Sequence, residues 1–258
     1  MTSAITPVVL TFNEAPNIAR TLSRLSWAKD IVVVDSGSTD GTREIAAGHP
    51  GVRVFQRAFT THAEQWNFGL EETGIATEWV LALDADFVLS DELIGELGSM
   101  TPAAGTAGYQ ASFIYCIDGR PLTGAAYPPV VVLFRRASAR YRQDGHTQRV
   151  QLDGAIGALA GRIRHDDRKP LTHWLSAQSR YMRLEAAKIS QAPPGALGLA
   201  DRVRQAIVVA PPAMFFYCYI LRGGILDGRA GLFYALQRSA SELILSLFLV
   251  ERMLRRKA

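Results

Sequence analysis

The chain has 258 residues, 48% of them hydrophobic and 20% charged, with a net charge of +4. That length and balance suit one large α/β domain, or a domain with an appendage, and exclude global disorder. Two cysteines, Cys116 and Cys218, without a C-x-x-C spacing, exclude a disulfide scaffold and a thiolate metal site and fit a reducing cytosol. The charge is unevenly spread: residues 1–98 hold 14 acids and 6 bases, and residues 99–258 hold 10 acids and 22 bases. An acidic half suits a cation. A basic half suits an anionic partner, either nucleic acid or an anionic membrane surface. The opening "MTSAITPVVLTFNE" has no basic leader, so no signal peptide is expected.

In chain order, "ITPVVLT" (5–11), "DIVVVD" (30–35), "GVRVF" (51–55) and "EWVLALD" (78–84) are short runs rich in Val and Ile, which predicts strands. Between them Ile18, Leu22 and Leu25 share one helical face, as do Trp66, Leu70 and Ile75 more loosely. Alternating strands and helices predict a mostly parallel sheet with helices on both faces. Ligands of such sheets bind at the carboxyl ends of the strands. Three of the runs end in polar clusters, Thr11-Phe12-Asn13-Glu14, Asp35-Ser36-Gly37-Ser38 and Asp84-Ala85-Asp86, which the pattern places on one rim.

From about 105 to 165, "GYQASFIYCIDG", "PVVVLFRR" and "TQRVQLDG" predict longer, partly antiparallel strands that cover this rim. A helix is expected from 170 to 190, with Pro170 at its start. "IVVAPPAMFFYCYIL" (207–221) is apolar but interrupted by Pro211 and Pro212, and falls short of the ~20 residues that span a bilayer. Leu236, Ala240, Leu243, Leu247, Val250 and Leu254 then recur at helical spacing ahead of "RMLRRKA". This is the pattern of an interfacial helix with a basic end, or of an ordinary packing helix. The apolar run, the basic half and the basic tail together favour membrane association.

No G-x-x-x-x-G-K-[ST] occurs and no G-x-G-x-x-G follows a strand, so a P-loop or dinucleotide site is unsupported. Asp84 and Asp86, one residue apart beside an open rim, suit Mg²⁺ or Mn²⁺, which take carboxylates and keep waters or substrate phosphates as further ligands. Asp35 ends an apolar strand, where its carboxylate can accept from a nucleobase imide or a ribose hydroxyl. Ser38, Thr39 and Asp40 are equally explained as caps of the next helix.

"VVLTFNEAPNIARTL", "DIVVVDSGSTDGT" and "WVLALDADFVLSDEL", in this order and spacing, resemble the inverting family 2 glycosyltransferases with the GT-A fold. "AEQWNFGL", "VVVLFRRASARYRQDGHTQRV", "GRIRHDD" and "ILDGRAGLFYAL" extend the resemblance to the branch that contains lipopolysaccharide core glucosyltransferases. The resemblance implies a GT-A catalytic domain at 1–168, with a nucleotide-sugar half (1–98) and an acceptor half (99–168). A helical, membrane-associating extension at 169–258 would follow. It implies that Thr11, Asn13, Glu14 and Asp35, with Ser38 beside it, contact the nucleotide. Asp84 would serve ribose and metal, and Asp86 would hold the metal against the diphosphate. Gln65 and Asn67 become rim residues. The implied reaction moves a hexose from a nucleotide sugar, of which UDP-glucose is the example, to a lipid-linked saccharide or glycolipid acceptor. The implied location is cytoplasmic, peripheral on the inner face of the cell membrane.

The branch carries His-Glu where this chain reads "HTQRV", with Gln148 at the Glu position. An amide cannot act as a general base. Asp144 becomes the first candidate and His146 the second, against the alternative that both are turn residues. The branch also carries a basic residue where Trp66 stands and Glu where Phe87 stands, so Trp66 is given no phosphate contact. His165, after "GRIR", is a candidate further metal ligand from the acceptor side or an ordinary structural histidine. Two rival readings remain. "LALDADFV" also fits a haloacid-dehalogenase-type phosphatase, with Asp84 as nucleophile and Asp86 as acid/base, although that signature sits on a first strand rather than a fourth. A non-catalytic nucleotide-sugar-binding membrane protein would explain Gln148. No aromatic-and-basic motif supports nucleic-acid binding, so nucleic acid is not an expected partner.

Overall fold

The computed structural model describes residues 1–144, 147–193 and 195–255. The chain divides into two compact units, Met1–Gly119 with Tyr127–Lys169, and Arg120–Ala126 with Pro170–Ala258.

The first unit begins with β1 (Ile5–Thr11), α1 (Ile18–Ser23), β2 (Ile31–Asp35), α2 (Thr42–Ala47), β3 (Val52–Gln56), α3 (His62–Glu71) and β4 (Trp79–Asp84). β1 pairs in parallel with β2 and β4, and β2 with β3. Both faces of these strands are covered. Val9, Val33, Leu81 and Leu83 bury against Ile18, Leu22 and Leu25 and against Ala46 of α2. Val8, Val32, Val34 and Val80 bury against Ala63, Trp66 and Leu70 of α3, with Ile75 joining them from beyond that helix. Each such side chain contributes about 1.5–3 kcal/mol, so two cores, one on each face, hold the register of these largely apolar strands.

β5 (Phe87–Leu89), α4 (Asp91–Ser99) and β6 (Thr106–Ile117) follow, and the two-residue β7 (Arg120–Pro121) belongs to the second unit. β8 (Val130–Arg135), β9 (Arg140–Asp144), β10 (Thr147–Gln151) and β11 (Ala155–His165) complete the first. The main sheet runs β3-β2-β1-β4-β8-β6-β11-β5. β8 is antiparallel to β4 and β6, β11 is parallel to β6, and β5 is antiparallel to β11. β9 and β10 form a separate antiparallel pair. Helix α4 starts at Ser90, whose Oγ accepts from Leu93 N, with Asp91 and Glu92 favourably placed in the first turn. Its Glu96 carboxylate accepts from Ala160 N and Gly161 N at 3.0 and 2.9 Å, where the β11–β6 register shifts. The architecture is the expected one, mixed α/β with a mostly parallel sheet and helices on both faces.

The second unit is helical: α5 (Leu171–Gln191), α6 (Leu199–Gln205), α7 (Ala210–Phe216) and α8 (Gly228–Arg255). Pro170 caps α5, and Pro211 and Pro212 fall in the first turn of α7, where a missing N–H costs nothing. Tyr217–Leu221 continues α7 as a π-helical turn. α5 meets α8 through Met182, Ala186, Ile189, Leu245 and Leu249. The packed face of α8 also buries Ala230, Tyr234 and Ala235, and it includes three polar residues, Ser241, Glu242 and Ser246. Ser241 Oγ bonds Gln178 Oε1 at 3.1 Å, Ser246 Oγ donates to Ile207 O at 2.7 Å, and Arg204 donates to both oxygens of buried Glu242. Leu236, Leu243, Leu247 and Leu254 face outward, 52–66% exposed.

Candidate functional site

The carboxyl ends of β1, β2 and β4 meet in register, Thr11 opposite Asp35 and Leu10 opposite Asp84. The loops after β1 and β2 are stitched together. Asn13, at φ 53, donates its N–H to Ser38 Oγ at 2.8 Å and accepts Thr39 N at 2.9 Å on its side chain. Asn is among the residues that tolerate this left-handed conformation. Glu14 N reaches Thr42 Oγ1, and Ala15 N reaches Asp40 Oδ2. Asp40 also accepts from Thr42 N, so it does serve the start of α2, while Gly41 holds the cap position itself. Asp35 is fully buried and accepts from Gly37 N, Ser38 N and Ser38 Oγ. In this structure it shapes the turn of residues 36–38. Thr11 Oγ1 is buried on the rim with no partner among the described residues.

Beside this turn lies a charge cluster. Glu14 pairs with Lys169 Nζ through one oxygen and accepts Asn17 Nδ2 at 2.7 Å through the other. Burial, then the charge of Asp86, pushes the Glu14 carboxyl up to about 7 against the pull of Lys169. Burial would lower Lys169, but Glu14, Asp167 and Asp86 outweigh it and keep the ammonium charged. Asp84 is open to solvent yet closely flanked by protein. That crowding, then Asp86, pushes its pKa up to about 6, while His165 and Lys169 pull back. Asp86 is buried, which would raise it, but the His165 charge and hydrogen bond hold it below the usual carboxylate value. His165 Nε2 lies 3.1 Å from Asp86 Oδ2. Asp86 outweighs burial to raise the imidazole, and the ring's Nδ1 is buried without a partner among the described residues. Phe87, Tyr115 and Tyr127 surround the ring at centroid distances of 5.1, 4.8 and 5.1 Å.

The remaining candidates divide. Gln65 reaches the rim, donating from Nε2 to Ser36 Oγ at 3.0 Å. Asn67 does not. Its amide exchanges two hydrogen bonds with the backbone of Tyr141 and docks β9 on α3. Asp144 ends β9 and pairs with Arg149 Nε at 2.6 Å. Gln148 stands opposite Gln143, so strand alternation places it on the other face of the pair from Asp144. His146 lies outside the described residues. Trp66 is buried and stacked on Tyr141 at 5.3 Å, a core role. Sequence reasoning missed Lys169, Asn17 and Tyr141. Lys169 lies only four residues beyond His165, and the Tyr141 phenol is raised by burial and by the charge of Asp84.

The set of Asp84, Asp86 and His165 joins two hard carboxylates, which suit Mg²⁺ or Mn²⁺, to an imidazole, a softer donor. It is not a preformed cage: among the described residues no three His, Cys, Asp or Glu converge as a metal cluster, and His165 Nε2 is engaged with Asp86. This fits an ion of the Mg²⁺ type, which one or two carboxylates and substrate phosphates suffice to hold.

Residues 6–174 match the sequence model of Glycosyl transferase family 2. The chain belongs to that family. It is 26% identical over 256 residues to the lipopolysaccharide core biosynthesis glycosyltransferase LpsC of Rhizobium meliloti, covering 90% of this chain and 89% of that protein. It is 31% identical over 147 residues to an uncharacterized glycosyltransferase of Rickettsia bellii, covering 55% of this chain but only 49% of that relative. The chain thus spans about half the length of that relative. Among solved structures, S. aureus TarS 1–349 in complex with UDP-GlcNAc gives a TM-score of 0.47 at 15% identity, covering 98% of this chain and 92% of that one, too weak a likeness to bear on the site. Family membership gives the phosphatase and the non-catalytic readings no support. In this family 2 chain "LALDADFV" is the end of the fourth strand, a two-residue turn and the start of β5.

Proposed function

We propose that the chain transfers a hexose, with inversion, from a nucleoside diphosphate sugar of the UDP-glucose type to the saccharide of a membrane glycolipid. The observation that carries this reading is the convergence of three strand ends with the Glu14–Lys169 and Asp86–His165 pairs at one rim. Thr11, Asn13, Ser38 and Gln65 supply hydroxyls and amides for the nucleoside. Asp35 sets the turn that receives it. Asp84 and Asp86 would hold Mg²⁺ or Mn²⁺, which would supply positive charge to offset that of the leaving diphosphate. Lys169, kept charged by Glu14 and Asp167, adds positive charge on the same side, and His165 hydrogen-bonds Asp86 beside it. Inversion requires one displacement, with acceptor hydroxyl and sugar carbon held in line and a carboxylate taking the proton. Asp144 is the carboxylate assigned here, and its ion pair with Arg149 must open for that step. LpsC, named for lipopolysaccharide core biosynthesis, supports an envelope saccharide as acceptor.

The second unit supports a peripheral membrane location on the cytoplasmic face. α8 keeps Leu236, Leu243, Leu247 and Leu254 exposed on one side, away from its buried Ser241, Glu242, Leu245 and Leu249, and Arg252 and Arg255 occupy its last turn. By length and composition the helix Gly224–Arg255 could also cross a bilayer. The outward stripe with a basic end matches an interfacial helix on anionic lipid.

The test is release of UDP or GDP from a panel of nucleotide sugars with Mg²⁺ or Mn²⁺, with and without a bacterial lipid extract. Acceptor-stimulated release should fall on the order of a hundredfold or more in Asp86→Asn. Equal turnover by that variant, or hydrolysis of simple phosphomonoesters instead, would sink the reading.

A further inference from the structure

Arg164 of β11 lies on the strand face opposite His165. There a cavity of about 270 Å³ is lined by Arg20, Arg24, Arg164 and Arg168, with Asp166 as its one carboxylate and Cys116 beside them. The arginines are built in rather than scattered. Buried Asp166 accepts from Arg20 Nη1 at 2.7 Å, from Arg168 Nε and Nη2 at 3.0 and 2.9 Å, and from Gly119 N at 2.8 Å. One carboxylate therefore orients two guanidinium groups and has little capacity for more. Arg168 rests where Gly119 has no side chain; a Cβ there would meet Arg168 Nη2 at 2.6 Å. Arg24 is fixed by Leu89 O at 2.9 Å and by Asp91. Arg20 Nε is buried without a partner. The Arg164 guanidinium feels the charges of Asp91 and Glu92 but makes no side-chain hydrogen bond or ion pair among the described residues. Arg20, Arg164 and Arg168 all act on the Cys116 thiol, which places them around one small volume.

Arg164 keeps its whole guanidinium for a phosphate, Arg24 and Arg168 keep their Nη1 groups, and Arg20, whose Nη2 is taken by Asn17 Oδ1 and Asp166 O, adds mainly charge. The volume far exceeds the ~30 Å³ share of one water and leaves room beside a phosphate for part of a sugar ring. We propose that this cavity binds a phosphorylated saccharide, its phosphate monoester lying among Arg20, Arg24, Arg164 and Arg168. The inference stands apart from sugar transfer, because binding is measured without any donor.

The experiment is calorimetric titration of the full chain with glucose 6-phosphate, inorganic phosphate and glucose. Glucose 6-phosphate should bind more tightly than inorganic phosphate, glucose should give no heat, and affinity should fall with added salt. Arg164→Gln should weaken binding about ten- to a hundredfold, the value of one charge-assisted hydrogen bond, with thermal unfolding unchanged since Arg164 is exposed. Arg24→Gln is the second variant and should act in the same direction. Asp86→Asn should bind as the wild type does. No heat with glucose 6-phosphate, equal affinity for inorganic phosphate, or wild-type binding by Arg164→Gln would overturn the proposal. So would loss of binding in Asp86→Asn, which would move the site to the carboxylate rim.

Discussion

Asp84 and Glu14 carry the clearest tension in the molecule, since each is raised by crowding and by the neighbouring charge of Asp86. The folded chain therefore holds protons that the unfolded chain has already lost. For Asp84 the stabilising contribution is present below about pH 4 and is lost as pH rises through about 6. Glu14 behaves in the same way, up to about 7. Asp86, held below the usual value, works in the opposite direction at acid pH. Asp84→Asn removes the repelling charge. Water reaches Asp84, so the gain is about 1 kcal/mol, or roughly 2–4 °C in Tm, at pH 8 and nil at pH 4, read by thermal unfolding at the two pH values. The two aspartates were legible in the sequence because carboxylates at the end of an apolar strand need a reason. Lys169 and Tyr141 were not, because only long-range folding brings them to Glu14 and Asp84.

At the scale of elements, β1 to β4 were readable to within one residue, since Val and Ile runs bounded by polar turns leave little choice of register. The clamp between α4 and β11 was not readable. Gly161 looks like any turn glycine in sequence, yet a Cβ there would lie 2.4 Å from Leu93 Cα and 2.5 Å from Leu93 N. Both contacts are backbone, so the helix itself would have to move. Gly161→Ala should cost about 3 kcal/mol, the upper end for overpacking, and lower Tm by roughly 6 °C or more. A Tm within a degree of wild type would show that α4 is free to slide. The prolines of "IVVAPPAMFFYCYIL" show the complementary limit: read as interruptions, they are the beginning of α7.

Over the whole molecule, both units have apolar cores, but they differ in what they leave outside. In the second, α8 buries Leu245 and Leu249 together with Ser241, Glu242 and Ser246, and displays Leu243 and Leu247. Spacing alone identified that stripe but not which way it faced, because neighbours decide which side of a helix is covered. Leu243→Glu with Leu247→Glu should leave thermal stability within about 0.5 kcal/mol, as exposed changes do, and should sharply reduce flotation with phosphatidylglycerol vesicles. Flotation equal to wild type would show that the stripe faces something other than lipid.

The acids of the rim and the bases that answer them are far apart in the chain: Glu14 and Lys169 are separated by 155 residues, Asp86 and His165 by 79. β5, just after Asp86, pairs only with β11 among the described residues. On a ribosome adding about 5–20 residues per second, the acids emerge several seconds before their partners. Throughout that interval the strand ends repel one another, and the rim is completed only when the last residues of its unit arrive. Synthesis therefore runs in the order that leaves this site the final part of the unit to assemble.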